Sequence, residues 1–412
     1  MGVFKDLIDQ RNNMPEDFDD GTCFLVPGPV RMNASVLSAM STPVITARGP
    51  EFREVMAELN SLLRIAFNLT PSSPEPGAES WTGTDGYNVI VVSGSGTAAT
   101  EMAIANRFTK ADNVLVPSNG KFGERVAEIA TQFSNCTHLK YDWGTAFDLE
   151  EVEEHLQSGS YEALVICHNE TSTGITQDAE ALSQICKKYD VAFLLDAITS
   201  VGGIPVYPEK WGVEAVVVGA QKCTAGPSGI SAIAVSEDWI RNVRLRKEKQ
   251  DVNPVYYFDA IAALKKGDDD QTPWTPAINL CMGWAASLRT LAEEGLQERW
   301  ARCSTLAEGV RSLFGSLGFE FLADENQRSN TVTALMYPEG IDDKWRSRLQ
   351  KEHHTYVIGA QDHLKGKMFR IGSMGETSKQ EMIEGCKRML ICFKESGLSI
   401  PADLEVSEFF ER

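Results

Sequence analysis

A lysine that follows directly on an apolar, β-branched run constrains this chain of 412 residues more than any other feature. Residues 216–218 are three consecutive valines, and Lys222 comes shortly after them, ahead of the small-residue loop 223–229. Asp196 ends a second apolar run, residues 191–195, in the same way. Polar side chains that leave the carboxyl ends of strands lie where ligands bind to open α/β sheets. The sequence therefore predicts one ligand site that holds both a lysine amine and a carboxylate.

The chemistry of this pair matches what pyridoxal 5'-phosphate requires of a protein. A lysine amine can form a Schiff base with the aldehyde of that cofactor, and an aspartate can hold the proton on its pyridine nitrogen. Either residue alone is explained more simply as a solvated charge near the end of a strand. The cofactor hypothesis is preferred to this simpler one only when a phosphate-binding loop accompanies the pair.

Such a loop is present in the run Ser93-Gly94-Ser95-Gly96-Thr97, between an apolar stretch and a helical pattern. Glycines let the backbone approach a phosphate, and a helix N-terminus offers free N–H groups and a positive dipole end. The run also fits the dinucleotide fingerprint G-x-G-x-x-A, which expects an acidic residue at the end of the next strand. Asp112 precedes its strand instead, so the cofactor phosphate is favoured over a dinucleotide. A tight turn without a ligand is the remaining alternative.

Apolar runs alternate with helical patterns over residues 87–235, which predicts an α/β fold with a mostly parallel sheet covered by helices on both faces. Candidate strands cover residues 88–92, 113–116, 163–167, 191–195, 215–218 and 231–235. Candidate helices cover residues 97–107, 121–133 and 179–189, with a strand at 331–336 and a helix at 379–393 further on. We expect an N-terminal segment at residues 1–25, a large cofactor-binding domain at 26–280 and a smaller C-terminal α+β domain at 281–412.

Composition excludes several classes of partner. The net charge of −19 disfavours nucleic acid and anionic membranes as partners. No apolar run approaches the ~20 residues that a membrane span needs. The nine cysteines show no C-x-x-C pair and no zinc-like spacing, which predicts reduced thiols in a cytoplasmic protein and no metal site. Small molecules are therefore the expected partners.

Three further segments carry candidate site residues. Phe122, in the loop 119–123, could stack on a pyridine ring, although an aromatic residue there is more often part of the core. The polar run 167–174 follows a strand and could bond the cofactor or substrate, and its His168 is equally plausible as a structural histidine. Arg370 could grip a carboxylate through two parallel hydrogen bonds. A surface salt bridge is the simpler explanation of that arginine.

These blocks, in this order, resemble the class V branch of the fold type I pyridoxal phosphate enzymes. Among them the chain is most similar to alanine–glyoxylate, serine–glyoxylate and serine–pyruvate aminotransferases. The resemblance extends over most of the chain, from the run that begins at Pro27 to Arg370-Ile371-Gly372. The matching blocks are Ser93-Gly94-Ser95-Gly96-Thr97, Asn119-Gly120-Lys121-Phe122-Gly123, Glu170-Thr171-Ser172-Thr173-Gly174, the run 196–203 and Gln221-Lys222.

The resemblance implies a role for each matching residue. It makes Lys222 and Asp196 the catalytic pair, and it makes Arg370 the group that binds the substrate carboxylate. Relatives often carry His-Arg where this chain has Ala47-Arg48, so Arg48 is a second substrate-binding candidate, and the substitution puts the amino donor in doubt. The implied cofactor-binding residues are Ser95, Gly96, Thr97, Phe122, Thr171, Asp196, Gln221, Lys222, Thr272 and Thr275.

The resemblance also implies a reaction and an assembly. The reaction is ping-pong transamination from a small amino acid, alanine or serine, to glyoxylate or pyruvate. The segment 272–276 matches one that reaches the phosphate of a neighbouring subunit, through either Thr272 or Thr275, which implies a homodimer with shared active sites. Two alternatives stay open here: a 2-aminoethylphosphonate–pyruvate transaminase, and a non-catalytic binding protein of the same fold. The role of the insert at residues 70–86 is also open.

Overall fold

The computed structural model describes residues 21–70 and 86–411. Most of the predicted N-terminal segment 1–25 and of the insert 70–86 lies outside the described residues. The α-helices of the described part are α1 (Ala34–Met40), α2 (Pro50–Ala66), α3 (Gly96–Arg107), α4 (Lys121–Phe133), α5 (Leu149–Gln157), α6 (Ala179–Lys188), α7 (Pro208–Trp211), α8 (Glu237–Glu248), α9 (Ala260–Gly267), α10 (Ile278–Glu294), α11 (Leu296–Ser316), α12 (Lys344–His353) and α13 (Lys379–Glu395).

The strands begin with the two-residue β1 (Cys23–Phe24) and end with β14 in the C-terminal part. Between residues 86 and 236 they are β2 (Tyr87–Val92), β3 (Asn113–Ser118), β4 (Asn135–Lys140), β5 (Ala163–Cys167), β6 (Asn169–Glu170), β7 (Ile175–Thr176), β8 (Ala192–Asp196), β9 (Ala215–Gly219) and β10 (Ser231–Ser236). The remaining strands are β11 (Val332–Met336), β12 (Thr355–Tyr356), β13 (Ile358–Gly359) and β14 (Met368–Gly372).

A seven-stranded sheet forms the centre of the molecule, with the order β2-β10-β9-β8-β5-β3-β4. The strands from β9 to β4 pair in parallel, and β10 alone is antiparallel to both of its neighbours. The predicted α/β fold with a mostly parallel sheet is therefore confirmed. The edge strand β4 was not predicted, because its sequence NCTHLK is polar and its residues are exposed or half-buried. An apolar run marks only strands that are covered on both faces.

Alternate residues of each central strand supply two cores, one on each face of the sheet. Leu164 and Ile166 of β5 belong to one buried cluster, while Ala163, Val165 and Cys167 belong to the other. Helices α2 and α10 pack on the first face, and α3, α4 and α8 pack on the second. This double coverage explains why the strands read as continuous apolar runs, since both faces of a parallel sheet are buried.

A second, antiparallel sheet of order β11-β14-β13 lies in the C-terminal part. It shares a buried cluster with α11, α12 and α13, in which Phe314, Trp345, Phe369 and Phe393 are packed together. The start of the described chain joins this cluster, because β1 pairs in parallel with β12. Residues of α10 pack in the first core of the large sheet. The predicted domain boundaries at residues 25 and 280 stay predictions.

Two further observations concern the cysteines and the length of the helices. All nine cysteines are free thiols, and eight of them are buried. No helix in residues 21–70 and 86–411 combines the length and the apolar character needed to cross a bilayer.

Two glycines within α11 offer a matched test of this packing. A Cβ atom built at Gly309 would lie 2.2 Å from the ring of Phe410, whereas one at Gly315 would first meet Phe321 at an ordinary 3.7 Å. Gly309→Ala should therefore cost about 1–3 kcal/mol through overpacking. Gly315→Ala should be neutral or gain up to about 1 kcal/mol, because alanine is the better helix former. Urea unfolding followed by circular dichroism measures both, and equal shifts would contradict the packing described.

Candidate active site

One cavity of about 250 Å³ lies at the carboxyl ends of β5, β8 and β9. In a parallel sheet the residues that follow each strand meet at this edge, so the polar residues after the strands line the cavity. The predicted site residues that line it are Ser95, Gly96, Thr97, Phe122, Thr171, Asp196, Gln221 and Lys222. The fold therefore brings together residues that are up to 127 positions apart in the printed sequence, from Ser95 to Lys222.

Lys222 is held against the glycine of the Pro27–Pro29 run. Its Nζ donates a hydrogen bond to the carbonyl oxygen of Pro27 at 2.9 Å. A Cβ atom at Gly28 would lie 2.4–2.9 Å from the last three atoms of the lysine side chain, and the φ of +89° at that position also favours glycine. Burial lowers the pKa of Lys222 to about 8. About one-tenth of the amine is thus neutral, and nucleophilic, at pH 7, far more than of a lysine with its ordinary pKa.

Asp196 ends β8 in surroundings that lack enough donors for a carboxylate. Its Oδ1 accepts one hydrogen bond, from the backbone N–H of Ile198 at 3.1 Å. Burial is the main effect and raises the pKa of Asp196 to about 7, while the charges of Arg125 and Lys222 oppose that rise. A carboxylate in such a place is stabilised when a cation joins it. The protonated nitrogen of a pyridine ring fits this requirement.

The N-terminus of α3 provides the phosphate cradle that the glycine-rich run predicts. The backbone N–H groups of Gly96 and Thr97 have no hydrogen-bond acceptor among the described residues. The side chain of Gln221 also lines the cavity, and its amide nitrogen is a further possible donor to a phosphate. A Cβ atom at Gly96 would lie 2.4 Å from Ile198, so the backbone here is closely packed. Unused donors at a helix N-terminus fit the phosphate of pyridoxal phosphate.

Glu170 fixes the start of α4 and was not predicted from the sequence. It is fully buried, and its Oε2 accepts from the N–H groups of Phe122 and Gly123, each at 2.8 Å. Its Oε1 accepts from the N–H and Oγ of Ser172 at 3.0 and 2.6 Å. Because Gly120 caps α4 without a side-chain bond, the carboxylate of Glu170 serves as the cap from a distant strand. The sequence offered a weak signal for this role. The helix begins after Gly120, which has no capping side chain, and the acidic Glu170 follows shortly after a predicted strand.

Arg125 is a second site residue that sequence reasoning missed. It lies on α4 three residues after Phe122, and its guanidinium carbon is 5.0 Å from the centre of that ring. It lines the same cavity as Lys222 and Asp196. No carboxylate of the described residues forms an ion pair with it, so its charge acts on Asp196 and Lys222 and lowers the pKa of each. The i,i+3 spacing from Phe122 was the available signal.

The loop after β5 separates two neighbouring polar residues. His168 lies outside the cavity lining, edge-on to Trp211 at 5.7 Å, and burial lowers the pKa of its imidazole to about 4. Asn169 lines the cavity, and its Nδ2 donates to the Oγ1 atoms of Thr199 and Thr331 at 3.0 and 2.8 Å. Asn169 is thus the third site residue that the sequence did not single out, while His168 is a buried neutral histidine.

Arg370 lies beside the cavity, on β14 of the small sheet. Its Nη1 donates to the carbonyl oxygen of Thr171 at 2.8 Å, and its Nε and Nη2 donate to that of Gly359 at 3.2 and 2.7 Å. Burial lowers the pKa of its guanidinium to about 10, and the charge of Glu170 opposes this. Both acceptors are neutral carbonyls. Arg370 therefore forms no ion pair with a carboxylate of the described residues, and its charge next to Thr171 is available to a substrate carboxylate.

The remaining predicted residues are not part of this cavity within one chain. Arg48 donates to the carbonyl oxygens of Thr272, Pro273 and Trp274 at 2.6, 3.4 and 3.3 Å. Thr272 and Thr275 line a separate cavity of about 30 Å³. The structure thus gives Arg48 the task of holding the segment 272–274, and its predicted contact with substrate stays a prediction.

Comparison with known proteins agrees with this geometry. The family model described as "Aminotransferase class-V" matches residues 76–353, more than half of the chain. The (S)-ureidoglycine–glyoxylate transaminase of Bacillus subtilis is 27% identical over 93% of this chain and 95% of that protein. The serine–glyoxylate aminotransferase of Hyphomicrobium methylovorum is 29% identical over 85% of this chain and 84% of that protein.

Solved structures show the same fold. The crystal structure of an alanine–glyoxylate aminotransferase from Nostoc sp. superposes with a TM-score of 0.81, at 29% identity, over 90% of this chain and 95% of that one. The architecture is that of the fold type I pyridoxal phosphate enzymes, as the resemblance implied. The cradle at α3, the carboxylate of Asp196 and the amine of Lys222 fit that cofactor. The chain belongs to the class-V aminotransferases and is a transaminase that depends on pyridoxal 5'-phosphate.

Proposed function

We propose that this transaminase moves an amino group from alanine or serine to glyoxylate or pyruvate by a ping-pong reaction. The observation that carries the proposal is the single cavity that joins Lys222 and Asp196, with the charge of Arg370 beside it. The three relatives named above share glyoxylate in their names and differ in the donor. They support glyoxylate as the acceptor, while pyruvate and the identity of the donor rest on the resemblance.

Each residue of the site has a distinct task in this proposal. When bound, pyridoxal phosphate supplies a ring that takes up negative charge from the substrate Cα. Asp196 would hold a proton at the ring nitrogen, and Lys222 Nζ would take the proton from Cα and deliver it to C4′ of the cofactor. Arg370 orients the substrate carboxylate through its free N–H groups. Ser95, Gly96, Thr97 and Gln221 hold the phosphate, with Phe122 and Thr171 against the ring.

The size of the cavity favours small substrates. Its volume of about 250 Å³ is below the ~300–1,000 Å³ of ordinary ligand pockets. The cofactor itself must occupy much of that space. This small volume supports a donor with a one-carbon side chain, as in alanine or serine.

We propose the cytoplasm as the cellular compartment. Nine free thiols support this, since disulfides are rare where thiols are kept reduced.

We also propose a homodimer in which each chain completes the cavity of its partner. Thr272 and Thr275 lie outside the Lys222 cavity of their own chain, and Arg48 clamps the backbone of their segment. Within that segment, the half-buried Trp274 stacks on Tyr256 at 4.5 Å, and Tyr256 is 77% exposed. An exposed aromatic ring stacked on a clamped loop is typical of surfaces that a partner covers.

Hybrid dimers test the shared site. A Lys222→Ala chain lacks its own amine, and a Thr272→Ala/Thr275→Ala chain lacks the residues that it would lend. If the threonines serve the partner, each hybrid dimer has one fully intact site, so mixing two impaired proteins after subunit exchange should restore turnover. The transamination rate of the mixture, compared with the rate of each variant alone, measures the recovery of activity. Sedimentation that finds one chain per active particle would contradict the dimer itself.

Asp196 should reveal its need for a cation through the pH dependence of stability. Because burial raises its folded-state pKa to about 7, the folded protein retains a proton there that the unfolded chain loses above about pH 4. Stability linked to this group is present at low pH and is lost as the pH rises through 7. In cofactor-free protein, Asp196→Asn should therefore become more stable relative to the natural protein between about pH 5 and about pH 8.

Urea unfolding at about pH 5 and about pH 8 measures the difference in the free energy of unfolding between Asp196→Asn and the natural protein. An equal difference at the two pH values would contradict the raised pKa of Asp196. The cofactor-loaded proteins provide the control. Asp196→Asn should bind pyridoxal phosphate more weakly, because the ring nitrogen then loses its ion-pair partner. Fluorescence titration of the cofactor reports that loss separately from turnover.

A donor screen together with Arg370 tests the proposed reaction. Alanine and serine should each discharge the visible absorbance of the bound cofactor, and glyoxylate should restore it. Arg370→Ala should raise KM for every amino acid and 2-oxo acid by about tenfold to a hundredfold, since a charge-assisted contact is worth about 1.5–3 kcal/mol. Arg370→Lys should recover little, because an ammonium cannot reproduce the planar fork.

The affinity for pyridoxal phosphate should stay nearly unchanged in both Arg370 variants, which serves as the control for folding. Discharge by 2-aminoethylphosphonate, but not by alanine or serine, would overturn the proposed donor.

A further inference from the structure

Three metal-ligating side chains meet where two helices of the C-terminal part end. His353 is the last residue of α12, and Cys392 and Glu395 lie in the last turn of α13. The i,i+3 spacing places the latter two on one face of their helix. The Nε2 of His353 is 2.9 Å from the Oε2 of Glu395, and the three ligand atoms all lie within 4.8 Å of one another. Among the described residues this is the one group of three such side chains so close together.

We propose that His353, Cys392 and Glu395 form a binding site for a divalent cation of the zinc class. Thiolate sulfur, imidazole nitrogen and carboxylate oxygen are the ligands that zinc takes in proteins. Bond lengths of about 2.0–2.3 Å in a tetrahedron place ligand atoms about 3.3–3.5 Å apart. The observed separations reach this with side-chain shifts of about 1 Å. Three protein ligands leave the fourth position to water.

The electrostatics of the two helix ends favour a cation at this point. The C-terminus of each helix carries a partial negative charge from its free carbonyl groups. His353 and Glu395 are the C-terminal residues of α12 and α13. The carbonyl oxygen of His353 already accepts from Thr355 Oγ1 and Arg388 Nη1, so the end of α12 contributes less than a free helix terminus would. Glu395 is 38% exposed and His353 15% exposed at the side chain, while Cys392 is buried. An ion can therefore enter from solvent on the side of Glu395.

The groups that now occupy these ligands can be displaced at little cost. Arg348 lies 3.2 Å from Glu395, but its Nε also binds Glu352 at 2.9 Å, so it keeps an ion-pair partner when the metal takes Glu395. Exposed ion pairs of this kind are worth only about 0–1 kcal/mol. The thiol of Cys392 makes one long contact, at 3.8 Å, to the carbonyl oxygen of Trp345. On binding, sulfur loses its proton to water and forms the metal–sulfur bond.

The sequence showed no sign of this site. No metal site was predicted, because the sequence has no C-x-x-C pair. The ligands of this site were not recognisable, since Cys392 and His353 are separated in the chain by strands β12 to β14 and most of α13. Only the packing of α12 on α13 brings them together. The proposed ion would tie the ends of these two helices, so its expected effect is on the stability of the C-terminal part.

Metal titration of the cofactor-loaded protein, after dialysis against a chelator, tests the site. Zinc should bind with one tight site per chain in calorimetry and raise the midpoint of thermal unfolding. Cobalt should give the intense visible bands of a tetrahedral ion with a thiolate ligand, at longer wavelengths than the cofactor absorbs. His353→Gln and Cys392→Ser should each remove the cobalt bands and lower zinc affinity at least tenfold.

Two control variants separate the cluster from other thiols and imidazoles. Cys136→Ser, at a half-buried cysteine on β4, and His155→Gln, on α5, should bind both metals like the natural chain. His353→Gln changes a side chain at the surface, so it tests the site even if Cys392→Ser impairs folding. Absence of stoichiometric zinc binding, or bands that persist in His353→Gln, would show that the cluster is only an ion-pair network.

Discussion

The site depends on the burial of two groups of opposite charge, the carboxyl of Asp196 and the amine of Lys222. They lie at or just beyond the ends of adjacent parallel strands. Strands β8 and β9 pair in parallel, so Asp196 and the residues before Lys222 emerge at the same edge. Burial moves the two groups in opposite directions, raising the pKa of Asp196 to about 7 and lowering that of Lys222 to about 8. Each group is thereby brought to a value near neutral pH, where a proton can be held or moved with little cost.

A second interaction joins the small sheet to this edge. Arg370 of β14 donates to the carbonyl oxygen of Thr171, in the loop that follows β5. The neighbouring Glu170 binds the first turn of α4 through two N–H groups. One short loop therefore positions both the aromatic Phe122 and the arginine beside the cavity. Because Gly123, Glu170, Thr171 and Arg370 are buried, a change in any of these contacts leaves a polar group unsatisfied.

Much of the fold could be predicted, because the strands of a doubly covered sheet must be apolar throughout. Residues 163–167 and 121–133 were predicted with the bounds that the structure has, and the other elements that were predicted differ by one or two residues. Helices such as Pro50–Ala66 and Leu149–Gln157 were not predicted. The edge strand β4 was missed for the converse reason, since an exposed strand carries no apolar run. Lys222, Asp196 and the turn before α3 were recognisable because each stands directly after a strand.

The residues that were missed act mainly through contacts with distant parts of the chain, of which local patterns give at most a weak sign. Glu170 caps a helix that begins 49 positions before it in the chain, at Lys121. Asn169 joins the hydroxyls of Thr199 and Thr331, which come from different parts of the fold. Arg125 lies in the amphipathic helix α4, and its sequence neighbours do not show that it faces a site. It lines the cavity because α4 packs beside it. Sequence periodicity predicts which face of an element is buried, and it says little about which distant partner that face meets.

The division of labour within the cavity bears on how a donor is selected. The α-carboxylate is common to every amino acid and every 2-oxo acid, so Arg370 in its proposed role would hold them all and discriminate among none. Apolar wall residues such as Val126 and Ile129 separate substrates weakly, because one methylene is worth only about 1–3 kcal/mol. A polar group in the wall that expects a hydrogen bond discriminates far more strongly. On α4 the side chain of that kind is Arg125, which has no carboxylate partner among the described residues, whereas the amide of Asn169 is already bonded to Thr176, Thr199 and Thr331. The hydroxyl of serine is the donor feature that Arg125 would separate from the methyl group of alanine.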